Sequence, residues 1–197
     1  KRSTEPFVAV NCSALPGSLI ESLVFGHQRG AFTGAVQRMR GQLELAANGT
    51  LLLDEIAEMP IELQAKLLRV LEDRKFRPLG AEEELPLKAR VLAATHVDLE
   101  RRIGEGTFRE DLFYRLNVVA IEVPTLSQRE DDVLELLHAF ASNLPRKLRF
   151  GDDAVEWIKR RRWPGNVREL RNAVERLGLL AESDVIDVAT LEELIGD

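Results

Sequence analysis

The apolar positions of this chain follow two regimes. In the first part, short apolar runs alternate with helical stripes. Phe7–Val10, Thr50–Leu53, Arg90–Thr95 and Val118–Val123 read as strands. Between them, Pro16–Val24 opens with proline at a first-turn position. Ile61–Leu71 sets Leu63, Leu67, Leu68 and Leu71 on one face behind Pro60. Asp98–Ile103 and Arg109–Leu116 predict two shorter helices. Strands alternating with helices predict an α/β layer around a largely parallel sheet. After Pro124 only helical spacing remains. Val133, Leu136, Leu137, Phe140 and Leu144 form one stripe, and Asp153–Arg161 forms a second helix ended by Trp163-Pro164-Gly165. Val167, Leu170, Val174, Leu177 and Ala181 form a third stripe, and a short helix lies near Thr190–Ile195. The expected organisation is an α/β core over residues 1–126 and an all-helical subdomain over residues 127–197, parting near Leu126–Gln128.

One stretch fits neither period. Gly30-Ala31-Phe32-Thr33-Gly34-Ala35 brackets an aromatic and a hydroxyl with two glycines, and no charge falls between Arg29 and Arg38. Glycines open backbone angles that other residues avoid, so the stretch reads as a tight or mobile loop carrying Phe32 at its centre.

Composition narrows the function classes. The 197 residues are 45% hydrophobic and 30% charged, with a net charge of −6, an ordinary globular balance. The acidic total argues against a general nucleic-acid coat, although Lys159–Arg162 is a local basic patch. Cys12 is the single cysteine, so no internal disulfide can form, which fits a reducing compartment. No apolar run reaches the length of a membrane span, and the polar start KRSTEP is no secretory signal. The apolar run Phe7–Val10 lies so near the first residue that the start of the domain is expected to lie upstream.

Candidate chemistry gathers at strand ends. Thr50–Leu53 runs into Asp54 and Glu55. In open parallel sheets ligands bind beyond the carboxyl ends of the strands. There an aspartate can hold Mg²⁺, and a neighbouring glutamate can orient or deprotonate an attacking water. A solvated strand-end turn is the plainer alternative. Arg90–Thr95 ends beside Thr95 and His96, which either approach a terminal phosphate or, more plainly, cap the helix near Asp98 and face solvent. Arg109 and Arg115 lie in FREDLFYRLN. Guanidinium groups make forked contacts with phosphates, but pairs with Glu105, Glu110 or Asp111 are the plainer reading. Arg168 flanks the apolar stripe of its helix and faces either a nucleotide or Glu169 or Glu175. His27, His96 and His138 lack zinc-site spacing, and no nucleophile-elbow motif occurs.

Taken together, the motifs PFVAVNC (6–12), FGHQRGAFTGA (25–35), NGTLLLDEI (48–56), RVLAATHVDL (90–99), FREDLFYRLN (108–117) and WPGNVREL (163–170) resemble the AAA+ ATPase domain of sigma-54-dependent transcriptional activators, the bacterial enhancer-binding proteins. The resemblance covers essentially the whole chain and implies a P-loop NTPase-type parallel sheet followed by a helical lid. It implies ATP and Mg²⁺ as cofactors, Asp54 for the metal and Glu55 for activating water. It implies that Asn11 restrains Glu55, and that Thr95 and His96 occupy the first sensor, where many relatives carry asparagine at the second place. Arg109 and Arg115 would be arginine fingers acting on a neighbouring subunit, and Arg168 a second sensor. The loop Gly30, Ala31, Phe32, Thr33, Gly34, Ala35 would touch sigma-54 in its RNA polymerase holoenzyme and remodel the closed promoter complex. The resemblance further implies a cytoplasmic ring, hexamer or heptamer, with promoter or enhancer DNA bound through a domain not in this chain, often within a two-component system, and no membrane. Two departures stand out. No G-x-x-x-x-G-K-[ST] occurs in the sequence, although a P-loop is expected to precede KRSTEP, so the alternative reading is a non-hydrolysing fragment that binds sigma-54 or co-assembles with intact subunits. Ser127 stands where relatives usually carry arginine.

Overall fold

Strand β1 (Phe7–Asn11) runs parallel to β4 (Thr50–Asp54), and β4 runs parallel to β7 (Arg90–Ala93), giving a three-stranded sheet with β4 at its centre. The computed structural model describes residues 3–14 and 16–196. Between β1 and β4 lie α1 (Gly17–Phe25), the short ladder β2 (Gly26–His27) with β3 (Met39–Arg40), and α2 (Gln42–Leu45). Between β4 and β7 lie α3 (Ile61–Asp73) and the ladder β5 (Lys75–Phe76) with β6 (Leu85–Pro86). Helices α4 (Leu99–Gly104) and α5 (Glu110–Leu116) follow.

The sheet is held because its strands carry apolar side chains into one core shared with the helices. Leu51 and Leu53 of β4 are fully buried, as are Ile20 of α1, Leu67 of α3 and Leu112 of α5. Burial of each such side chain contributes about 1.5–3 kcal/mol. Parallel register aligns Asn11 with Asp54 and Leu53 with Ala93, so the three carboxyl ends share one edge of the layer.

The structure corrects one expected strand. Val118–Val123 joins no ladder among the described residues, and Val118, Val119, Ile121 and Val123 are between 77% and 83% exposed. An apolar run becomes a strand only where a neighbour takes its backbone hydrogen bonds, and no described strand lies beside this one. β7 also stops at Ala93, short of the expected Thr95.

The chain forms two compact units parting at Ala120 and Ile121. The second contains α6 (Glu130–Ser142), β8 (Arg149–Phe150), α7 (Asp152–Arg160), α8 (Asn166–Leu180), β9 (Val185–Ile186) and α9 (Val188–Ile195), with β8 and β9 pairing in parallel. Its core joins Leu137, Ile158, Leu170, Leu177 and Leu191. Leu126 is fully buried in this second core. The turn at Leu126–Gln128 is fixed by a capping box on Thr125, and the Asn166 carboxamide oxygen accepts from the Leu126 amide at 2.8 Å.

Candidate functional site

The carboxyl edge of the first sheet brings Asp54, Glu55 and His96 together. Asp54 closes β4, and its Oδ1 accepts from the Glu55 amide at 3.1 Å. Glu55 then takes left-handed backbone angles, φ 53° and ψ 48°, which cost about 1–2 kcal/mol in a residue with a Cβ. The main chain is pinned on either side. Ala94 donates to Leu53 at 2.9 Å, and Ile56 donates to Ala94 at 3.0 Å. Strain held by flanking hydrogen bonds is typical of functional turns. The Glu55 Oε2 lies 2.8 Å from His96 Nδ1, within hydrogen-bond distance.

Asn11 ends β1 opposite Asp54, but its carboxamide oxygen accepts from the Ser13 amide at 2.8 Å and from the Ser13 hydroxyl at 2.7 Å. Thus the expected Asn11 restraint on Glu55 is not formed here, and His96 holds that carboxylate instead. Thr95 does not cap α4. Its hydroxyl accepts from Val97 at 3.1 Å, and Asp98 is the cap, accepting from Glu100 at 2.9 Å and Arg101 at 3.3 Å.

Two further residues, Cys12 and Gln64, were not among the candidate site residues. Cys12 follows Asn11 and is 2% exposed. Burial, and then the carboxylates of Asp54 and Glu55, push its thiol up to about 12. Gln64 of α3 is fully buried, donates to Met59 and Thr107 carbonyls at 2.8 Å and 3.0 Å, and accepts from the Arg109 amide at 2.9 Å. One carboxamide therefore ties α3, the turn after Glu55 and the segment entering α5. The signal was an amide placed inside the Leu63/Leu67/Leu71 stripe, where an unpaired polar group is costly.

Arg109 lies at the N-cap of α5, outside the helix, and forks onto Asp111 at 3.0 Å and 2.6 Å. That hydrogen bond, above all, holds the Asp111 carboxyl below its ordinary range and raises the Arg109 guanidinium. Arg115 lies in the last turn of α5 and donates to the Leu71 carbonyl at 2.9 Å, capping the end of α3. Arg168 is exposed in the first turn of α8. Neither expected carboxylate reaches it: Glu169 accepts from the Gly165 amide at 2.7 Å, and Glu175 pairs with Arg171 at 3.1 Å.

The stretch Gly30–Ala35 forms a closed turn on the β2–β3 ladder. The Gly30 amide donates to Ala35 at 2.8 Å, and the Ala35 amide donates to Phe32 at 3.0 Å. Gly30 and Gly34 take φ of 80° and 103°, angles that explain both glycines. The base is tight, because a Cβ on Gly26 would stand 2.5 Å from the Gly41 nitrogen. Phe32 is 41% exposed, and its ring meets His27 edge-on at 5.0 Å and 69°.

Residues 1–122 match the sigma-54 interaction domain, and residues 127–197 match an AAA+ ATPase lid domain. The chain belongs to the sigma-54 interaction domain family. Its fold is accordingly the AAA+ parallel-sheet core with a lid domain. Relatives of this sigma-54 interaction domain include the transcriptional regulatory protein GlrR of Escherichia coli K12, 46% identical over 98% of this chain and 45% of that protein. The Nif-specific regulatory protein of Klebsiella pneumoniae is 47% identical over 94% of this chain and 36% of that protein. The DNA-binding transcriptional regulator NtrC of Azospirillum brasilense is 48% identical over 100% of this chain and 42% of that protein. The chain thus spans less than half the length of these relatives. Among solved structures, NtrX from Brucella abortus superposes with a TM-score of 0.90 at 38% identity, covering 100% of this chain and 46% of that one. NtrX was also solved with ADP and with ATP, at TM-scores of 0.86 and 0.81 and identities of 36% and 39%; these cover 98% and 91% of this chain and 44% and 41% of those chains. No helix among the described residues is long and apolar enough to cross a membrane.

Proposed function

We propose that this chain supplies the water-activating edge and the sigma-54-contacting loop of an intact ATP-hydrolysing transcriptional activator. The observation that carries the reading is the pair of adjacent carboxylates at the end of β4, with Glu55 turned by a left-handed backbone and held by His96. The NtrX structures with ADP and ATP support nucleotide as the ligand.

Asp54 is the hard oxygen donor that would hold Mg²⁺. The described residues contain no group of three or more His, Cys, Asp or Glu able to hold a metal. That fits an ion taking most of its ligands from phosphate and water. When bound, Mg²⁺ supplies charge neutralisation at the phosphates. Glu55 orients a water and accepts its proton at a carboxylate oxygen. His96 positions that carboxylate, with Thr95 beside it near the terminal phosphate. Asn11 is assigned to restrain Glu55 in another nucleotide state, which requires exchanging its Ser13 contacts. Arg109 and Arg115 act on the nucleotide of the next subunit in a hexameric or heptameric ring. To do so they exchange Asp111 and the Leu71 carbonyl for phosphate. Arg168 is assigned to nucleotide sensing.

The Gly30–Ala35 loop contacts sigma-54, and the cycle opens the polymerase–promoter complex in the bacterial cytoplasm. Promoter or enhancer DNA is assigned to a part of the protein outside these residues. In the full-length protein, Glu55→Gln should keep ATP binding and lose about 10²-fold or more in hydrolysis. Hydrolysis at the wild-type rate would refute the assignment.

A further inference from the structure

Ser22 and His27 are buried polar residues that the proposed chemistry leaves unused. Ser22 projects from α1, and its hydroxyl lies 2.7 Å from His27 Nδ1. The backbone of His27 is fixed from two sides. It pairs with Met39 across the β2–β3 ladder and bridges Leu79. Gln28 donates to the Leu79 carbonyl at 2.9 Å, and Leu79 donates back to Gly26 at 2.9 Å. A histidine fixed in ring and backbone offers a rigid aromatic surface, and Phe32 rests on it edge-on. The loop around Phe32 is held mainly by its own turn hydrogen bonds. Neither Gly30 nor Gly34 has a neighbour within 4 Å of where a Cβ would stand. Ala31 packs against Gly80 and Ala35 is buried, so only the tip around Phe32, Thr33 and Gly34 is left to lift from a fixed base.

We propose that His27 is a positioning residue, a seat fixed by Ser22 on which Phe32 docks, and that leaving this seat is what presents Phe32 to a protein partner. The partner half of the statement rests on the function proposed above; the seat itself does not. Edge-to-face aromatic contacts are weak enough to be exchanged for a partner's surface. Breaking this one should shift the docked-to-lifted ratio by about two- to tenfold. Replacing the ring while keeping the bulk separates the seat from general packing.

The test is hydrogen exchange on the full chain, comparing His27→Leu, His27→Phe and Ser22→Ala with wild type. His27→Leu should speed exchange of the Gly30 and Ala35 amides about two- to tenfold, while Leu51 and Leu53 in the sheet stay as protected as before. His27→Phe should keep loop protection near the wild-type level, because an aromatic seat remains. Ser22→Ala should fall between the two. Unchanged loop exchange in His27→Leu overturns the seat. So does equal acceleration in loop and sheet, which would make His27 a packing residue only. Binding of purified sigma-54 to the full-length protein supplies the second arm. Phe32→Ala should weaken it, and His27→Leu should strengthen it within the same two- to tenfold range. If the loop amides respond as expected and Phe32→Ala binds sigma-54 normally, the seat stands and the partner assignment fails.

Discussion

Glu55 is strained, half-buried and held by a histidine 41 positions away in sequence. None of those properties is visible in the dipeptide Asp54-Glu55 itself. They follow from parallel register, which sets the end of β7 beside the end of β4. The sequence therefore revealed the carboxylates but not the contact between Glu55 and His96. Asn11 is the converse case. Its position at the edge was readable, yet the local Ser13 hydrogen bonds capture its side chain, as short polar side chains readily do near chain turns. Cys12 gives a direct prediction at this scale. Its thiol is raised from 9.0 to about 12, so in the folded chain it stays protonated at pH 8. Alkylation by iodoacetamide should run at least about 10³-fold slower than in urea-unfolded chain, since the thiolate is the reactive form. A folded-state rate equal to the unfolded one would contradict the burial. The sign for stability follows from the raised value. The contribution is full below pH 9.0 and is lost as pH rises toward about 12. Cys12→Ala should flatten that alkaline decline in urea midpoints.

The long elements were legible because their apolar periods are long. Helix α3 carries its stripe over thirteen residues, and α8 over fifteen. The two-residue ladders β2–β3, β5–β6 and β8–β9 were not, because two residues cannot display a period. Val118–Val123 misled for the opposite reason: its composition is strand-like, but strand formation needs a partner. Gln64 is the element-scale clamp on the segment bearing Arg109. Gln64→Leu should cost about 1–3 kcal/mol, because it leaves the Arg109 amide without its acceptor. Urea unfolding would measure it, and a loss below the error of the method would show that the clamp is dispensable. In the second unit, Asp187 caps α9 through Thr190 at 2.9 Å. Hydrogen bonds from the Thr190 amide and then its hydroxyl hold the Asp187 carboxyl below its ordinary range. The cap therefore stabilises above the ordinary carboxyl range and fails as pH falls through the lowered value. Asp187→Ala should lower Tm at neutral pH and leave it nearly unchanged at strongly acidic pH, as read by circular dichroism.

At the scale of the whole molecule, each unit closes its own apolar core, and the exposed chemistry is distributed over strand ends, one loop and helix termini. We assign hydrolysis to the Asp54–Glu55 edge and mechanical output to the Gly30–Ala35 loop. These are separate places on the first unit, so a substitution in the loop should leave hydrolysis working. The measurement that tests this most directly uses full-length protein with sigma-54 polymerase on a promoter. It compares ATP turnover and open-complex formation in wild type and Phe32→Ala. The account predicts ATP turnover within about twofold of wild type and loss of open-complex formation by about tenfold or more, the penalty expected for removing a central aromatic anchor. Promoter opening by Phe32→Ala at the wild-type level would contradict it.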